Sequence, residues 1–240
     1  MAMQEQFLDY DIDGATYEAF VAWDDAIPGP RPGVLVAHAW GGAGEFEQDK
    51  ARWLAAQGYV GFVLDMYGKG IRGNSTEENA ALMTPLVENR AELQARITGA
   101  LEVLRALDQV DGQHCAAMGY CFGGLCVLDL ARTGADVAGV ISIHGLFMPA
   151  DNVAGTPISA SVLCLHGYDD PMAEPQSMLD LATELSAAGA DWQVHAYGGT
   201  QHAFTNPAAN DPEMGTVYNP VADARATAAI SNFLEERFPS

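Results

Sequence analysis

The pentapeptide Gly119-Tyr120-Cys121-Phe122-Gly123 constrains this chain more than any other stretch. A short apolar run, Cys115-Ala116-Ala117-Met118, leads into it. Gly124-Leu125-Cys126-Val127-Leu128-Asp129-Leu130-Ala131 leads out, with the length and composition of a helix. A strand therefore enters a glycine-flanked residue and leaves as a helix, the layout of a nucleophile elbow. So tight a turn has no room for side chains at its flanks, hence glycine two residues before and two after the centre. The central residue is expected to be strained and raised above the sheet edge. The N-terminus of the following helix favours negative charge there, and with it a thiolate on Cys121. The same pentapeptide also suits a small buried cysteine, the commonest role of that residue. The rest of the chain decides between the two by supplying an acid and a histidine.

A continuous apolar run at residues 34–37 and largely apolar runs at 60–65, 114–118, 137–143 and 161–166, together with residues 193–197, predict strands, several of them buried on both faces. Residues 15–23 alternate weakly and suit an early antiparallel strand. Residues 46–57 predict a helix that ends at Gly58. One long helix is expected over roughly residues 86–107, because Leu93, Ile97, Ala100, Leu101 and Leu104 recur at helical spacing. Met178, Leu181, Ala182 and Leu185 mark another helix, and Ala226, Ala229, Ile230 and Phe233 a C-terminal one. Strands alternating with helices imply an α/β fold, a mainly parallel sheet with helices on both faces. Polar, glycine-rich segments follow the strands, at the carboxyl ends where open α/β sheets bind ligands.

No linker or shift in composition interrupts the sequence, so residues 1–240 are expected to form one domain. No apolar run approaches the roughly 20 residues of a membrane span. The N-terminal stretch from Met1 to Phe7 lacks the basic and apolar regions of a signal peptide. Cys115, Cys121, Cys126 and Cys164 have neither metal-site nor disulfide-framework spacing. A reducing, cytoplasmic compartment is the expectation. The net charge of −21, with Lys50 and Lys69 the only lysines, disfavours nucleic acid and anionic membranes as partners.

Three strand-end segments carry groups suited to nucleophilic catalysis. The elbow supplies Cys121. His166-Gly167-Tyr168-Asp169-Asp170-Pro171 supplies an acid, and Gly198-Gly199-Thr200-Gln201-His202-Ala203-Phe204 supplies His202. His202 would take the thiol proton and later activate water, while the aspartate would set the imidazole tautomer and stabilise its protonated form. The order nucleophile, acid, histidine is that of α/β-hydrolases.

With these pieces assembled, the chain resembles the dienelactone hydrolase family of that superfamily. The resemblance rests on Gly119-Tyr120-Cys121-Phe122-Gly123-Gly124, His166-Gly167 with Asp170-Pro171, His202-Ala203-Phe204, and Asp65-Met66-Tyr67. It implies a Cys121-His202-Asp170 triad that hydrolyses a small-molecule ester or lactone without cofactor or metal. By the same alignment Asp170 rather than Asp169 is the acid. The oxyanion hole of such folds uses two backbone N–H groups, here those of Phe122 and Trp40. Trp40, Tyr120, Phe122 and Phe204 are candidates for an apolar acyl pocket, and Tyr120 and Phe204 serve equally as packing side chains.

Two departures from the family stand out. Many members carry a glutamate at the position of Ala39, in a pattern like His-Glu-Trp, where it can hold the resting thiol away from the histidine. With alanine there, nothing from that position competes with His202, unless Glu45, Glu47 or Asp49 folds back in its place. Dienelactone hydrolase itself places an arginine where this chain has Asn206, which points to an uncharged or weakly charged substrate. His38, His144 and His166 are expected to bind loop backbone, and Lys69 and Arg72 to be solvated or to touch substrate. A second function remains open on this fold, a small-molecule binder or thiol sensor that does not hydrolyse its ligand.

Overall fold

The computed structural model describes residues 2–239; Met1, which begins the N-terminal stretch considered above, and Ser240 lie outside it. Along the chain come β1 (Met3–Ile12), β2 (Ala15–Asp24), β3 (Arg31–Ala37), α1 (Glu45–Ala56), β4 (Val60–Val63), α2 (Thr76–Glu88) and α3 (Arg90–Arg105). They are followed by β5 (Val110–Tyr120), α4 (Phe122–Arg132), β6 (Gly139–Ile143), β7 (Ser161–Gly167), α5 (Pro175–Ala187) and β8 (Trp192–Tyr197). The short strands β9 (Asn210–Asp211) and β10 (Thr216–Val217) pair with each other before α6 (Pro220–Arg237).

The first eight strands form one sheet in the order β1-β2-β4-β3-β5-β6-β7-β8. Strands β3 to β8 pair in parallel, and β2 joins β4 antiparallel. Two layers of helix cover the sheet. Ala51, Leu54 and Ala55 of α1 pack with Ala226, Ile230 and Phe233 of α6 on one face. Leu93, Ile97 and Leu101 of α3, Leu125 and Leu128 of α4, and Leu181 and Leu185 of α5 pack on the other. Every residue of β4, β6 and β7 is buried, which is the reason their sequences are unbroken apolar runs. The fold is thus the α/β arrangement expected.

Three elements differ from expectation. Strand β1 was not anticipated, because only Leu8, Tyr10 and Ile12 turn inward while the opposite positions face solvent. Its signal lies in the turn: Asp13 and Gly14 both have positive φ and join β1 to β2 as a two-residue hairpin. The single helix over residues 86–107 is two helices. Pro85 removes a donor from the last turn of α2, and Asn89 leaves the helical region with φ −113° and ψ 77°. The Asn89 side chain then caps α3 by accepting from the Glu92 N–H. Finally, β9 and β10 are too short for any periodicity to reveal.

Candidate active site

The elbow is built by contact between backbones. A Cβ on Gly119 would stand 2.2 Å from the Gly123 carbonyl oxygen, and one on Gly123 would stand 2.1 Å from that of Ala37. Side chains at either position would force β3, β5 and α4 apart. Cys121 itself has φ 56° and ψ −114°, a conformation costing on the order of 1–3 kcal/mol for a residue with a side chain. It is over-determined by its neighbours: its N–H donates to Ile143 at 3.0 Å, and its carbonyl accepts from Gly124 at 3.0 Å and Leu125 at 3.3 Å.

Asp170 follows β7 and is fully enclosed. One carboxylate oxygen accepts from the Met172 N–H at 2.8 Å; the other accepts from Nδ1 of His202 at 2.7 Å. The neighbouring Asp169 is exposed and makes no such contact. His202 follows β8, and its backbone is gripped on both sides, the N–H by Gly215 and the carbonyl by Val217. The strands β9 and β10, invisible in the sequence, are thus what frame this histidine. Because Nδ1 donates to Asp170, Nε2 is the atom left free, and it has no hydrogen-bond partner. Burial pushes the imidazole toward neutrality, but a charge on Cys121 and the Asp170 carboxylate outweigh it and raise His202 to about 10.

Cys121 and His202 open into a cavity of about 300 Å³. Trp40, Phe46, Met83, Tyr120, Leu146 and Met172 supply apolar wall, and Glu47, His144, Asn206 and Thr216 supply polar groups. No lysine or arginine among the described residues lines it. Lys69 is exposed and paired with Asp9 and Glu18, and Arg72 donates to the carbonyls of Ala43 and Ile71. No group of three or more His, Cys, Asp or Glu side chains among the described residues is arranged to hold a metal ion.

The aromatic candidates divide. Tyr120 lines the cavity with its ring edge-on to Phe46, 5.0 Å between centroids. Phe204 does not line it: the ring is fully buried between His144 and Tyr197, so the expectation of a pocket wall gives way to packing. The Phe122 ring is likewise buried, stacked on Tyr67 at 5.9 Å, but its N–H begins α4 and so has no acceptor within the helix.

The three remaining strand-end histidines have distinct settings. His38 Nδ1 donates to the Ala39 carbonyl at 2.6 Å, and Nε2 accepts from the Met66 N–H at 3.1 Å. Burial pushes it down to about 4, so the ring is neutral. His144 contacts the Thr205 hydroxyl at 2.9 Å through Nε2, a side chain rather than loop backbone, and lines the cavity. His166 differs from the expected loop-binding role: neither ring nitrogen has a partner, and the ring packs on Phe147. Of the carboxylates weighed as replacements at Ala39, only Glu47 reaches the cavity; Glu45 and Asp49 instead pair with Arg52 on the surface. Gly44 followed three residues later by Glu47 was the available signal.

The model of the "Dienelactone hydrolase family" matches residues 17–238. The solved structure of a dienelactone hydrolase-like promiscuous phosphotriesterase from metagenomic libraries superposes with a TM-score of 0.94 at 34% identity, covering 99% of this chain and 100% of that one. An "Uncharacterized protein" of Caenorhabditis elegans is 32% identical over 157 residues, 63% of this chain and 98% of its own. A "Putative carboxymethylenebutenolidase" of Aquifex aeolicus is 24% identical over 235 residues, 96% of this chain and 97% of its own.

Proposed function

The chain belongs to the dienelactone hydrolase family and is an ester or lactone hydrolase, and from that premise we propose that it cleaves uncharged substrates through an acyl-enzyme on Cys121. The observation that carries this reading is one buried imidazole, His202, bonded to Asp170 through Nδ1 and left with a free Nε2 beside Cys121.

The Cys121 sulfur attacks the carbonyl carbon of the substrate while His202, raised to about 10, holds the proton on Nε2. The carbonyl oxygen becomes an oxyanion between the N–H groups of Phe122 and Trp40, at the N-terminus of α4. Collapse of this intermediate breaks the carbon–oxygen bond, and the imidazolium protonates the departing alkoxide. In a lactone that alcohol stays tethered to the acyl group. Water then donates a proton to His202 and attacks the thioester, and the second intermediate expels the thiolate. One ester and one water become one acid and one alcohol. Asp170 remains ionised throughout and keeps Nδ1 protonated, so that Nε2 is always the atom that accepts.

A neutral substrate follows from a wall with no lysine or arginine among the described residues, whose polar side chains include Asn206 and the Glu47 carboxylate. A substrate carboxylate would enter without a partner and lose its hydration. A panel of p-nitrophenyl esters of rising chain length, with a carboxylate analogue beside each neutral ester, tests both parts. Turnover that vanishes in Cys121→Ala, with higher kcat/KM for the neutral ester, is the expected result. Tight binding with no release of product would instead favour the non-hydrolytic reading.

A further inference from the structure

The loop between β3 and α1 carries a set of contacts that hold the peptide group joining Ala39 to Trp40 and the peptide groups on either side of it. Its carbonyl accepts twice, from His38 Nδ1 at 2.6 Å and from the Gly42 N–H at 3.1 Å. His38 is locked in the donating tautomer, because its other nitrogen accepts from Met66. The preceding Ala39 N–H donates to Glu47 Oε1 at 3.2 Å. The following Trp40 carbonyl accepts from the Tyr67 hydroxyl at 2.9 Å. A trans peptide is planar, with C=O and N–H on opposite sides. Two donors that fix the Ala39 carbonyl therefore also aim the Trp40 N–H the other way.

Glu47 stands out within this set. As the third residue of α1 it accepts from the Gly44 N–H at 3.0 Å, which is an ordinary helix cap. Its second oxygen serves no helix; it reaches back eight residues to Ala39, on the strand side of the loop. One carboxylate thus ties both ends of the loop together. The side chain is buried and also lines the cavity, and burial raises its pKa against the two N–H bonds that lower it.

We infer that Glu47 and His38 are positioning residues that together aim the Trp40 N–H at the oxyanion, Glu47 from the Ala39 N–H and His38 from the Ala39 carbonyl. The inference rests on the reading of Trp40 as an oxyanion donor. Neither side chain touches the reacting atoms or exchanges a proton in this role. An alanine at position 39 puts no carboxylate there, and Glu47 supplies one to the same loop from α1.

The test uses Glu47→Gln and His38→Gln in the full chain. Glutamine keeps the α1 cap, since Gln serves at that position too. It has only one acceptor oxygen for two N–H groups, so the loop loses one tie. For each variant, kcat and KM for p-nitrophenyl acetate are measured beside the rate of iodoacetamide alkylation at Cys121, located by mass spectrometry. Alkylation needs the nucleophile but forms no oxyanion. Removing an oxyanion donor outright costs about 10²–10³ in kcat; loosening one is expected to cost about tenfold, with KM nearly unchanged and alkylation at the wild-type rate. Unchanged kcat in both variants overturns the inference. So does a parallel fall in kcat and alkylation, which would mean that the two side chains support the fold or the thiol instead. If one variant does not fold, the other decides. Turnover that survives Cys121→Ala would refute the proposed mechanism itself, a separate outcome.

Discussion

Two histidines whose rings lie 5.2 Å apart, on the loops after β6 and β8, are driven in opposite directions by the same fold. His144 follows β6 and His202 follows β8, and both are about equally buried. Burial pushes each toward neutrality. His144 faces only a hydroxyl, and its charged neighbours, His202 and Lys50, add to the effect, so it lies well below the ordinary value. His202 faces the Cys121 sulfur and the Asp170 carboxylate, which outweigh burial and raise it to about 10. Depth in the protein therefore does not distinguish a histidine held neutral from one held protonated here. What distinguishes them is the charge on the groups each one meets.

The contrast is broken most severely by substitution of the reactive histidine or its thiol. His202→Ala and Cys121→Ala are each expected to lower kcat for a p-nitrophenyl ester by at least about 10³-fold, with the double variant little worse than either, since the groups act as a unit. Cys121→Ala should also remove the main raising influence on His202, so that its ring signals titrate below the wild-type value in NMR. A next smaller effect is expected from Asp170→Asn. Loss of the carboxylate leaves the wrong tautomer favoured and costs on the order of 10³-fold in kcat, with little change in KM. His144→Phe sharpens the comparison from the other side. With no charge to move, it should change kcat by less than about tenfold, any effect falling on KM through the cavity wall. A loss matching that of His202→Ala would mean that the assignment of roles is wrong.

The smallest effect concerns stability. His144 has a folded-state value below its unfolded 6.5. Its neutral form contributes stability that is fully present above about pH 6.5 and lost as the pH falls, because only the unfolded chain can then take up the proton. His38, pushed down to about 4, acts with the same sign between pH 6.5 and 4 and is worth roughly 3 kcal/mol over that span. Urea unfolding at pH 7 and pH 5 should therefore show a smaller difference in His144→Phe than in the wild type. An unchanged difference would mean that His144 is already protonated or exposed in the native state.

Much of this was readable from residue order. Unbroken apolar runs marked the buried strands because a strand covered on both faces has no solvent side to alternate with. The elbow was legible because backbone collision at Gly119 and Gly123 permits no other residue. The antiparallel β1 was hidden by a polar outer face, and the α2–α3 break by an apolar repeat that carries on past Pro85 and Asn89. Phe204 and Tyr120 were indistinguishable as residues. One backs His144 in the core and the other faces the cavity, and only the direction of each side chain separates them.

The sequence by itself determined the layered α/β scaffold and the strand ends that bear Cys121, Asp170 and His202, because periodicity, turn chemistry and steric exclusion are local. The tertiary structure alone decided which groups meet at those ends. It placed Asp170 rather than Asp169 against His202, brought Glu47 and His38 to opposite sides of one residue, and left the cavity without a lysine or arginine among the described residues. Protonation, hydrogen-bond direction and pocket lining depend on distances of a few ångströms between residues far apart in the chain, and no local pattern encodes such distances.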